Sequence, residues 1–262
     1  MIQECFMHVR GIGPKTAALL NDRGFSSWED CFNRKHELPF NGKRRNRFIR
    51  ELELCTQALQ RDDIDYFISA FPAAEHWRIL ARYLKSAVFI DVETTGLSWH
   101  YGHISVIAAF QGGAIHSFRY GENLDEFLGL VDNSELLVTF NGNCFDIPFL
   151  ERSFNLPEIM CPHIDLRWIA WHRGHSGGLK YIEREMGIRR PVSVDGIDGF
   201  EAVDLFHRWQ QGDLKARQTL IRYCAADVIS TYLMAERLLV EYGCGTGLSD
   251  PARVFEMIAS CE

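Results

Sequence analysis

The spacing of apolar and polar residues along the chain changes near residue 86. Beyond that point, short runs rich in β-branched and aromatic residues alternate with segments of helical apolar period, which is typical of an α/β domain. The pattern predicts strands at 87–92, 103–110, 114–120, 135–140 and 163–168. It predicts helices at about 123–131, 145–154, 179–186, 200–209 and 214–240.

The order of these elements predicts how the strands pair. The first three strands follow one another closely, with Gly112 and Gly113 as a turn between the second and the third, so we expect an antiparallel meander. The later strands alternate with helices, and crossover helices favour parallel neighbours. The predicted fold class is therefore α/β, a mixed sheet flanked by helices.

The N-terminal part of the chain has a different pattern. Residues 1–60 show helix-length apolar spacing interrupted by Gly and Pro, and residues 61–85 are predicted to be a helical connector. We therefore expect a small all-α domain at 1–60, the connector at 61–85 and the main domain at 86–262.

Composition limits the cellular compartment in which the protein is expected and the kinds of metal or disulfide site that it could contain. The chain has 262 residues, 47% of them hydrophobic, and eight cysteines of which none forms a Cys-x-x-Cys pair. This spacing argues against a zinc ribbon, an iron–sulfur cluster or a disulfide framework. No apolar run reaches the roughly 18 residues of a membrane helix, and the first residues lack the apolar region of a signal peptide. We expect a reduced, cytoplasmic protein that does not contact membranes.

The net charge of −7 is unevenly distributed. Residues 1–60 contain ten Lys and Arg against seven Asp and Glu, while the remaining 202 residues contain 18 against 28. A basic N-terminal part beside an acidic body suits a nucleic-acid anchor next to a site that concentrates divalent cations.

Two carboxylates end the first predicted strand of the main domain, in the sequence VFIDVETTGL (88–97). Asp91 and Glu93 lie on one face of that strand, because side chains two residues apart point the same way. Like charges so placed repel and raise each other's pKa unless a cation lies between them. The strand therefore either ends in solvent or holds a metal ion.

Two later segments carry further carboxylates. Asp146 follows a strand and an Asn/Gly turn and begins a helix, where Asp is also favoured for capping alone. Tyr223 and Asp227 are four residues apart on a helical pattern with apolar neighbours, so they share a face. Burying Asp227 there is costly unless it is paired or binds a metal. The alternatives are solvent exposure or an ion pair with Arg222 or Arg237.

Convergence of the four carboxylates would create an all-oxygen site suited to Mg²⁺ or Mn²⁺. Two such ions about 4 Å apart can activate a water and stabilise the leaving oxygen of a phosphodiester displacement. A phenol at Tyr223, one helical turn from Asp227, could orient that water.

Three segments, FIDVETTGL, TFNGNCFDIPFL and YCAADVISTYL, resemble the exonuclease motifs of the DEDD superfamily of 3′→5′ exonucleases. Their spelling is most similar to the proofreading domains of B-family DNA polymerases. The stretch at 177–209 resembles the YprB-like, RNase H-like predicted exonucleases of bacteria and archaea. The resemblance covers about residues 75–240 and implies an RNase H-like fold.

The resemblance also implies a role for each motif residue. The metal ligands, for two divalent cations, would be Asp91, Glu93, Asp146 and Asp227. Tyr223 would position the water, as in the DEDDy variant of the third motif, because Arg222 stands where the other variant has His. The terminal nucleotide would contact Thr94, Thr95, Leu97 and Asn141, although a Thr-Thr-Gly-Leu turn could also simply end a strand.

Residues 9–25, VRGIGPKTAALLNDRGF, resemble a helix–hairpin–helix motif. Gly11 and Gly13 allow close approach of the backbone to a phosphate, and amides at a helix N-terminus bind anions. Glycine turns between helices are common, and a basic run is often only a solvated face; no second copy of the motif is evident, so this part could bind nucleic acid or protein. The predicted nucleic-acid-binding residues are Gly11, Gly13, Lys15, Lys43, Arg44, Arg45 and Arg47.

These observations lead to one main hypothesis and two alternatives. The main hypothesis is a free-standing, metal-dependent 3′→5′ exonuclease that acts on single-stranded DNA, with DNA repair as its process. The first alternative keeps the chemistry but acts on RNA, where contacts to the 2′-hydroxyl would decide. The second is a non-catalytic nucleic-acid-binding module on the same fold.

Overall fold

Two units divide the chain in the computed structural model, which describes residues 1–98, 100–245 and 247–261. The first unit spans Met1–Tyr83 and the second begins at Leu84. The helices formed by the predicted connector lie within the first unit, so the change of unit coincides with the change of pattern near residue 86.

The first unit is all-helical. Side chains of Ser27, Asn41 and Asp63 accept hydrogen bonds from backbone amides of the helices that follow them, which explains where these helices begin. Trp28 is buried and donates its indole N–H to the Cys5 carbonyl at 2.7 Å. The helices are α1 (Pro14–Asp22), α2 (Trp28–Asn33), α3 (Gly42–Gln60), α4 (Ile64–Ala70) and α5 (His76–Tyr83), with 3₁₀ turns at Ile2–Glu4, Lys35–Glu37 and Ala73–Glu75.

The second unit is built on a five-stranded mixed sheet. Its strands are β1 (Val88–Thr94), β2 (Ile104–Gln111), β3 (Ala114–Arg119), β4 (Leu137–Thr139) and β5 (His163–Asp165), in the order β3-β2-β1-β4-β5. The pairs β1–β2 and β2–β3 are antiparallel, and the pairs β1–β4 and β4–β5 are parallel. The predicted meander, the parallel pairing and the α/β fold class are confirmed.

The helices of the second unit follow the predicted order with two additions. They are α6 (Glu126–Asp132), α7 (Asp146–Ser153), α8 (Leu166–His172), α9 (Leu179–Glu185), α10 (Gly199–Gln210), α11 (Leu214–Glu241) and α12 (Pro251–Phe255). The strand predicted at 163–168 was too long, because Asp165 accepts a hydrogen bond from the Arg167 amide and caps α8. Helices α8 and α12 were not predicted.

Strand β1 separates two environments. Ile90 and Val92 belong to a buried apolar cluster that includes Phe127 of α6 and Phe149 of α7. On the opposite face, Phe89 meets Tyr232 of α11, with ring centroids 5.3 Å apart. Asp91 and Glu93 are in phase with Phe89, so the alternation of the strand directs both carboxylates toward α11.

Within the residues that the structure describes, none of the helices combines the length and the apolar character required to cross a bilayer.

Candidate active site

The first two carboxylates stand at the end of the central strand. In the pairing of β1 with β2, Asp91 lies opposite Ala108 and Glu93 lies opposite Val106. The register between the two strands shifts directly after Glu93, at Thr94. Such irregularities re-aim side chains beside active sites.

Helix α11 brings the third-motif residues to the same face. Tyr223 and Asp227 are 4% and 5% exposed. Between them, the Cys224 thiol lies 3.5 Å from Asp91 Oδ2 and 3.4 Å from the Asp91 carbonyl oxygen, which fixes the helix against β1. The burial of Asp227 excludes the solvent-exposed alternative, and its ion-pair partner is Arg190 rather than Arg222 or Arg237.

Three carboxylates converge. One oxygen each from Asp91, Glu93 and Asp227 lies within 4.8 Å of the others. Asp146, the first residue of α7, lies beside this group, where its Oδ1 accepts a hydrogen bond from the Val92 amide at 3.1 Å. The structure thus places three of the four predicted ligands in one cluster and the fourth against the strand that carries two of them.

The electrostatics of the cluster are those of crowded, buried anions. Burial and the charges of Asp227, Glu93 and Asp146 raise the pKa of Asp91 well above its usual value. Burial and Asp227 likewise raise the pKa of Glu93, against the opposing influence of Lys180 and Arg190. Burial raises the pKa of Asp146 to about 7, although the Val92 amide lowers it. A cation at this place would relieve the repulsion.

A buried arginine contacts the cluster from behind. Arg190 Nη2 lies 2.5 Å from Asp227 Oδ1, and both side chains are almost fully buried. The same guanidinium donates through Nε and Nη2 to Glu183 of α9 at 2.8–3.0 Å. Burial alone would lower the pKa of Arg190, but Asp227 and Glu183 raise it above its usual value, so this side chain stays charged.

A lysine contacts the phenol. Lys180 Nζ donates to Tyr223 Oη at 2.7 Å and also to the Ile197 carbonyl. Burial, with Asp227, Glu93 and Asp91, raises the pKa of Tyr223 above its usual value, so the phenol remains protonated. Since its oxygen accepts from Lys180, the O–H of Tyr223 is free to donate to another group.

The turn between β4 and α7 is held in place by a side chain of β5. Asp165 accepts hydrogen bonds from the amides of Asn141 at 2.7 Å and Asn143 at 3.3 Å. Asn141 adopts a left-handed conformation with φ of 68°, and its side-chain oxygen accepts from Arg167 at 2.5 Å. Gly142 follows, where a Cβ would meet Thr139 Oγ1 at 2.1 Å. This turn leads directly into Asp146.

A groove of about 710 Å³ opens onto the carboxylates. Leu97 and Phe200 of its wall are 77% and 79% exposed. Part of the lining was predicted from the sequence: Asp91, Glu93, Thr94, Leu97, Asn141, Asp146 and Tyr223. The other apolar side chains of the lining were not predicted: Val92, Phe140, Phe145, Phe200 and Val203.

The hydroxyls of the two threonines in the turn after β1 form hydrogen bonds within the protein. Thr94 Oγ1 donates to the Gly96 carbonyl at 2.7 Å. Thr95 Oγ1 accepts from the His103 amide at 3.1 Å, and the Thr95 amide donates to the His103 carbonyl at 3.0 Å. The threonine hydroxyls therefore shape the turn, and the exposed Leu97 side chain presents its apolar surface to the groove.

Two of the predicted nucleic-acid-binding residues of the first unit, Gly11 and Gly13, lie in one turn. Gly11 has φ of 86°, and Gly13 is the N-cap of α1, which starts with Pro14. A three-residue 3₁₀ helix, Ile2–Glu4, rather than an α-helix precedes this turn.

The predicted basic residues of the first unit divide into two kinds. Arg44 Nη2 donates to the Gly11 carbonyl at 3.0 Å, and Arg47 Nη2 donates to the Arg10 carbonyl at 3.2 Å. Arg45 donates to the Phe40 carbonyl at 3.1 Å. Lys15 and Lys43 are exposed. The arginines therefore support the backbone, and the lysines are available to an external anion.

Sequence reasoning missed the residues that support the cluster: Lys180, Glu183, Arg190 and Asp165. An N-cap signal at Asp165 was available, since an Asp followed by an apolar helical pattern marks a helix start. The contact between Arg190 and Asp227 had no such signal, because the two residues are far apart in sequence and meet only in the folded chain.

Comparisons with known proteins bear on this site and on the fold around it. A family model described as the RNase_H superfamily matches residues 88–239, more than half of the chain. No curated protein matches the sequence. Two similar solved structures are a family B DNA polymerase from the hyperthermophilic archaeon Pyrobaculum calidifontis and Brucella melitensis NrnC with bound Mg²⁺.

Both structural matches are distant. The polymerase is 16% identical with a TM-score of 0.49, and the match covers 66% of this chain and 27% of the polymerase chain. NrnC is 23% identical with a TM-score of 0.43, and the match covers 69% of this chain and 83% of NrnC.

Proposed function

Since the chain belongs to the RNase H superfamily, we propose that it is a metal-dependent 3′→5′ exonuclease of the DEDDy type that acts on single-stranded DNA. The observation that carries the proposal is the buried cluster of Asp91, Glu93 and Asp227 at the edge of a groove, with the Tyr223 phenol one helical turn away. The direction of cleavage and the DNA substrate rest on the resemblance of the three motifs to proofreading exonucleases.

The residues present fit a divalent cation. Three carboxylate oxygens within 4.8 Å are hard ligands of the kind that Mg²⁺ and Mn²⁺ prefer. Burial and mutual repulsion raise the pKa values of Asp91 and Glu93, and a bound cation would relieve that repulsion. In the proposal, Asp91, Glu93, Asp146 and Asp227 hold two ions. Bound divalent ions supply an activated water and charge stabilisation for phosphodiester hydrolysis.

Tyr223 and Lys180 form the proton-donating side of the site. Lys180 holds the phenol oxygen from one side, which orients the Tyr223 O–H. A phenol that stays protonated can hydrogen-bond to the oxygen of the attacking water and fix its direction, without acting as the base.

The groove would hold the terminal nucleotide. Leu97 and Phe200 present exposed apolar surface beside the carboxylates, and a nucleobase has two apolar faces. In the proposal, the turn at Thr94 and Thr95 and the side chain of Asn141 face the sugar and phosphate. Hydrogen bonds of both threonine hydroxyls and of the Thr95 amide hold the shape of that turn.

The first unit would anchor the nucleic acid. Gly11 and Gly13 expose backbone next to the start of α1, and Lys15 and Lys43 are exposed cations. In this proposal the helix–hairpin–helix-like part comprises residues 1–60, with residues 61–85 as the connector and 86–262 as the nuclease domain.

The test is a time course on 5′-labelled single-stranded DNA and RNA of matched sequence, with Mg²⁺, with Mn²⁺ and with EDTA. The test variant is Asp227→Asn, which keeps the shape of a side chain that packs against Arg190. The matched control is Asp132→Ala, which removes an exposed carboxylate at the end of α6. We expect a metal-dependent ladder that shortens from the 3′ end in the parent and the control, and no cleavage by Asp227→Asn.

The other outcomes decide between the alternatives. Degradation of RNA and not DNA would make the protein an exoribonuclease and refute the DNA assignment. No cleavage of either strand, with binding that weakens as salt increases, would instead indicate a non-catalytic nucleic-acid-binding module.

A further inference from the structure

Arg190 stands in an unusual place for a cation. It is buried beside the carboxylate cluster. It lies between one member of that cluster, Asp227 on α11, and a carboxylate outside it, Glu183 on α9. An arginine that only neutralised the cluster would compete with a metal ion for Asp227. The contacts of Arg190 indicate a different role.

The geometry fixes one oxygen of Asp227. Arg190 Nη2 contacts Oδ1 of Asp227 at 2.5 Å and Oε2 of Glu183 at 2.8 Å, while Nε contacts both oxygens of Glu183. Hydrogen bonds from Nε and Nη2 to one carboxylate fix the plane of the guanidinium. They therefore also fix the side of the guanidinium that faces Asp227. Oδ1 faces Arg190 in an ion pair that lacks hydrogen-bond geometry, which leaves Oδ2 as the oxygen that Asp227 can offer to a cation.

The charges of the pair cancel. Glu183 and Arg190 are each 2% exposed and contact each other directly, so together they add no net charge behind Asp227. A backbone hydrogen bond also joins the two segments that carry this pair, because the Ile188 amide donates to the Glu183 carbonyl at 2.8 Å. Asp227 is therefore oriented by an arginine whose charge its glutamate partner offsets.

We propose that Arg190, held by Glu183, is a positioning residue that orients Asp227 for cation binding without neutralising the cluster. The inference rests on the proposed function, because it assumes that the cluster binds a divalent ion. Partners that orient a ligating carboxylate from behind commonly change metal affinity by about 10–100-fold when they are removed.

The test uses the double variant Glu183→Gln/Arg190→Met. Removing both charges leaves the net charge equal to that of the parent. Asp227 loses its ion-pair partner, but Glu183 does not become a second unpaired buried carboxylate, so folding is preserved better than when Arg190 alone is replaced. Mn²⁺ affinity is measured in the absence of nucleic acid, from the free-ion signal in electron paramagnetic resonance. Circular dichroism and the unfolding midpoint verify that the variant is folded.

We expect the double variant to bind Mn²⁺ about 10–100-fold more weakly than the parent, although the charge is unchanged. We also expect kcat to fall at fixed Mn²⁺ while KM for the oligonucleotide is unchanged. The control is Glu183→Gln alone, which keeps the contact between Arg190 and Asp227 and should bind Mn²⁺ more tightly than the double variant.

Parent-like or tighter Mn²⁺ binding by the folded double variant would overturn this inference and leave the proposed function intact. A parent that binds no Mn²⁺ would overturn both. If the double variant does not fold, Arg190→Lys takes its place, because it keeps a buried cation but loses the planar fork. A tenfold or larger loss of affinity in Arg190→Lys supports the inference, and parent-like affinity overturns it.

Discussion

At the scale of single residues, His8 is a buried imidazole in the first unit. Its ring stacks on Phe71 at 5.0 Å and meets the edge of Trp28 at 5.7 Å. Within the described part of the chain, neither ring nitrogen has a hydrogen-bond partner. Burial lowers the pKa of His8 to about 4, so the folded state holds the ring neutral at pH values where the unfolded state protonates it.

This shift predicts how stability depends on pH. A histidine whose folded pKa is lowered contributes stability that is complete above its unfolded pKa of about 6.5 and is lost as the pH falls toward 4. From pH 7 to pH 5, the loss should be about 2 kcal/mol of the free energy of unfolding. Hydrogen exchange with mass spectrometry on peptides from residues 1–83 measures this for the first unit.

His8→Phe is the matched variant, since it keeps a ring against Phe71 and removes the titration. We expect peptides of the first unit to lose about 2 kcal/mol less stability in the variant than in the parent between pH 7 and pH 5. An equal pH dependence in both proteins would show that His8 is not the group responsible.

At the scale of elements, the turn between β4 and α7 allows a specific prediction. Gly142 packs so closely on Thr139 that a Cβ would lie 2.1 Å from its Oγ1, and Thr139 is fully buried. Gly142→Ala should therefore force the turn open, destabilise the protein by about 1–3 kcal/mol and lower nuclease activity, because the turn positions Asn141 and Asp146.

Gly129→Ala is the control for this change. Gly129 lies in α6, and a Cβ there would meet no other atom within 4 Å. The substitution should raise stability by about 0.5–1 kcal/mol, since alanine favours a helix over glycine. Urea unfolding of both variants measures the difference; comparable stability of Gly142→Ala and the parent would contradict the tight packing at Thr139.

The elements also show what the sequence could predict. Strand alternation and the Gly112-Gly113 turn were sufficient for the meander, because these signals are local. The end of β5 was missed although Asp165 offered a capping signal, since the apolar residues after it also suited a strand. Supporting contacts such as Arg190 with Asp227 and Lys180 with Tyr223 join distant segments, and no local pattern encodes them.

At the scale of the whole molecule, the N-terminal part of the sequence and the remainder differ in the sign of their net charge. The ten basic residues of 1–60 outnumber the acidic ones by three, whereas the rest of the chain is strongly acidic. Several of these arginines serve the fold, because Arg44, Arg45 and Arg47 donate to backbone carbonyls. The exposed lysines Lys15 and Lys43 are therefore the better test of a nucleic-acid anchor.

Lys15→Gln/Lys43→Gln should weaken binding of single-stranded DNA and reduce its salt dependence. Each phosphate contact that is lost lowers the slope of log affinity against log salt by about 0.7 for a single strand. The turnover number at saturating substrate should not change, because neither lysine lies in the groove of the carboxylates. Fluorescence anisotropy at several salt concentrations gives the slope, and a gel time course gives the turnover number.

Lys35→Gln/Lys215→Gln removes the same charge from exposed positions that are not among the predicted nucleic-acid-binding residues. If net charge alone governed binding, both double variants would lose the same affinity and the same salt slope. A larger loss in Lys15→Gln/Lys43→Gln would assign the effect to the glycine turn at Gly11 and Gly13. Parent-like binding in that variant would argue that the first unit contacts a protein partner instead of nucleic acid.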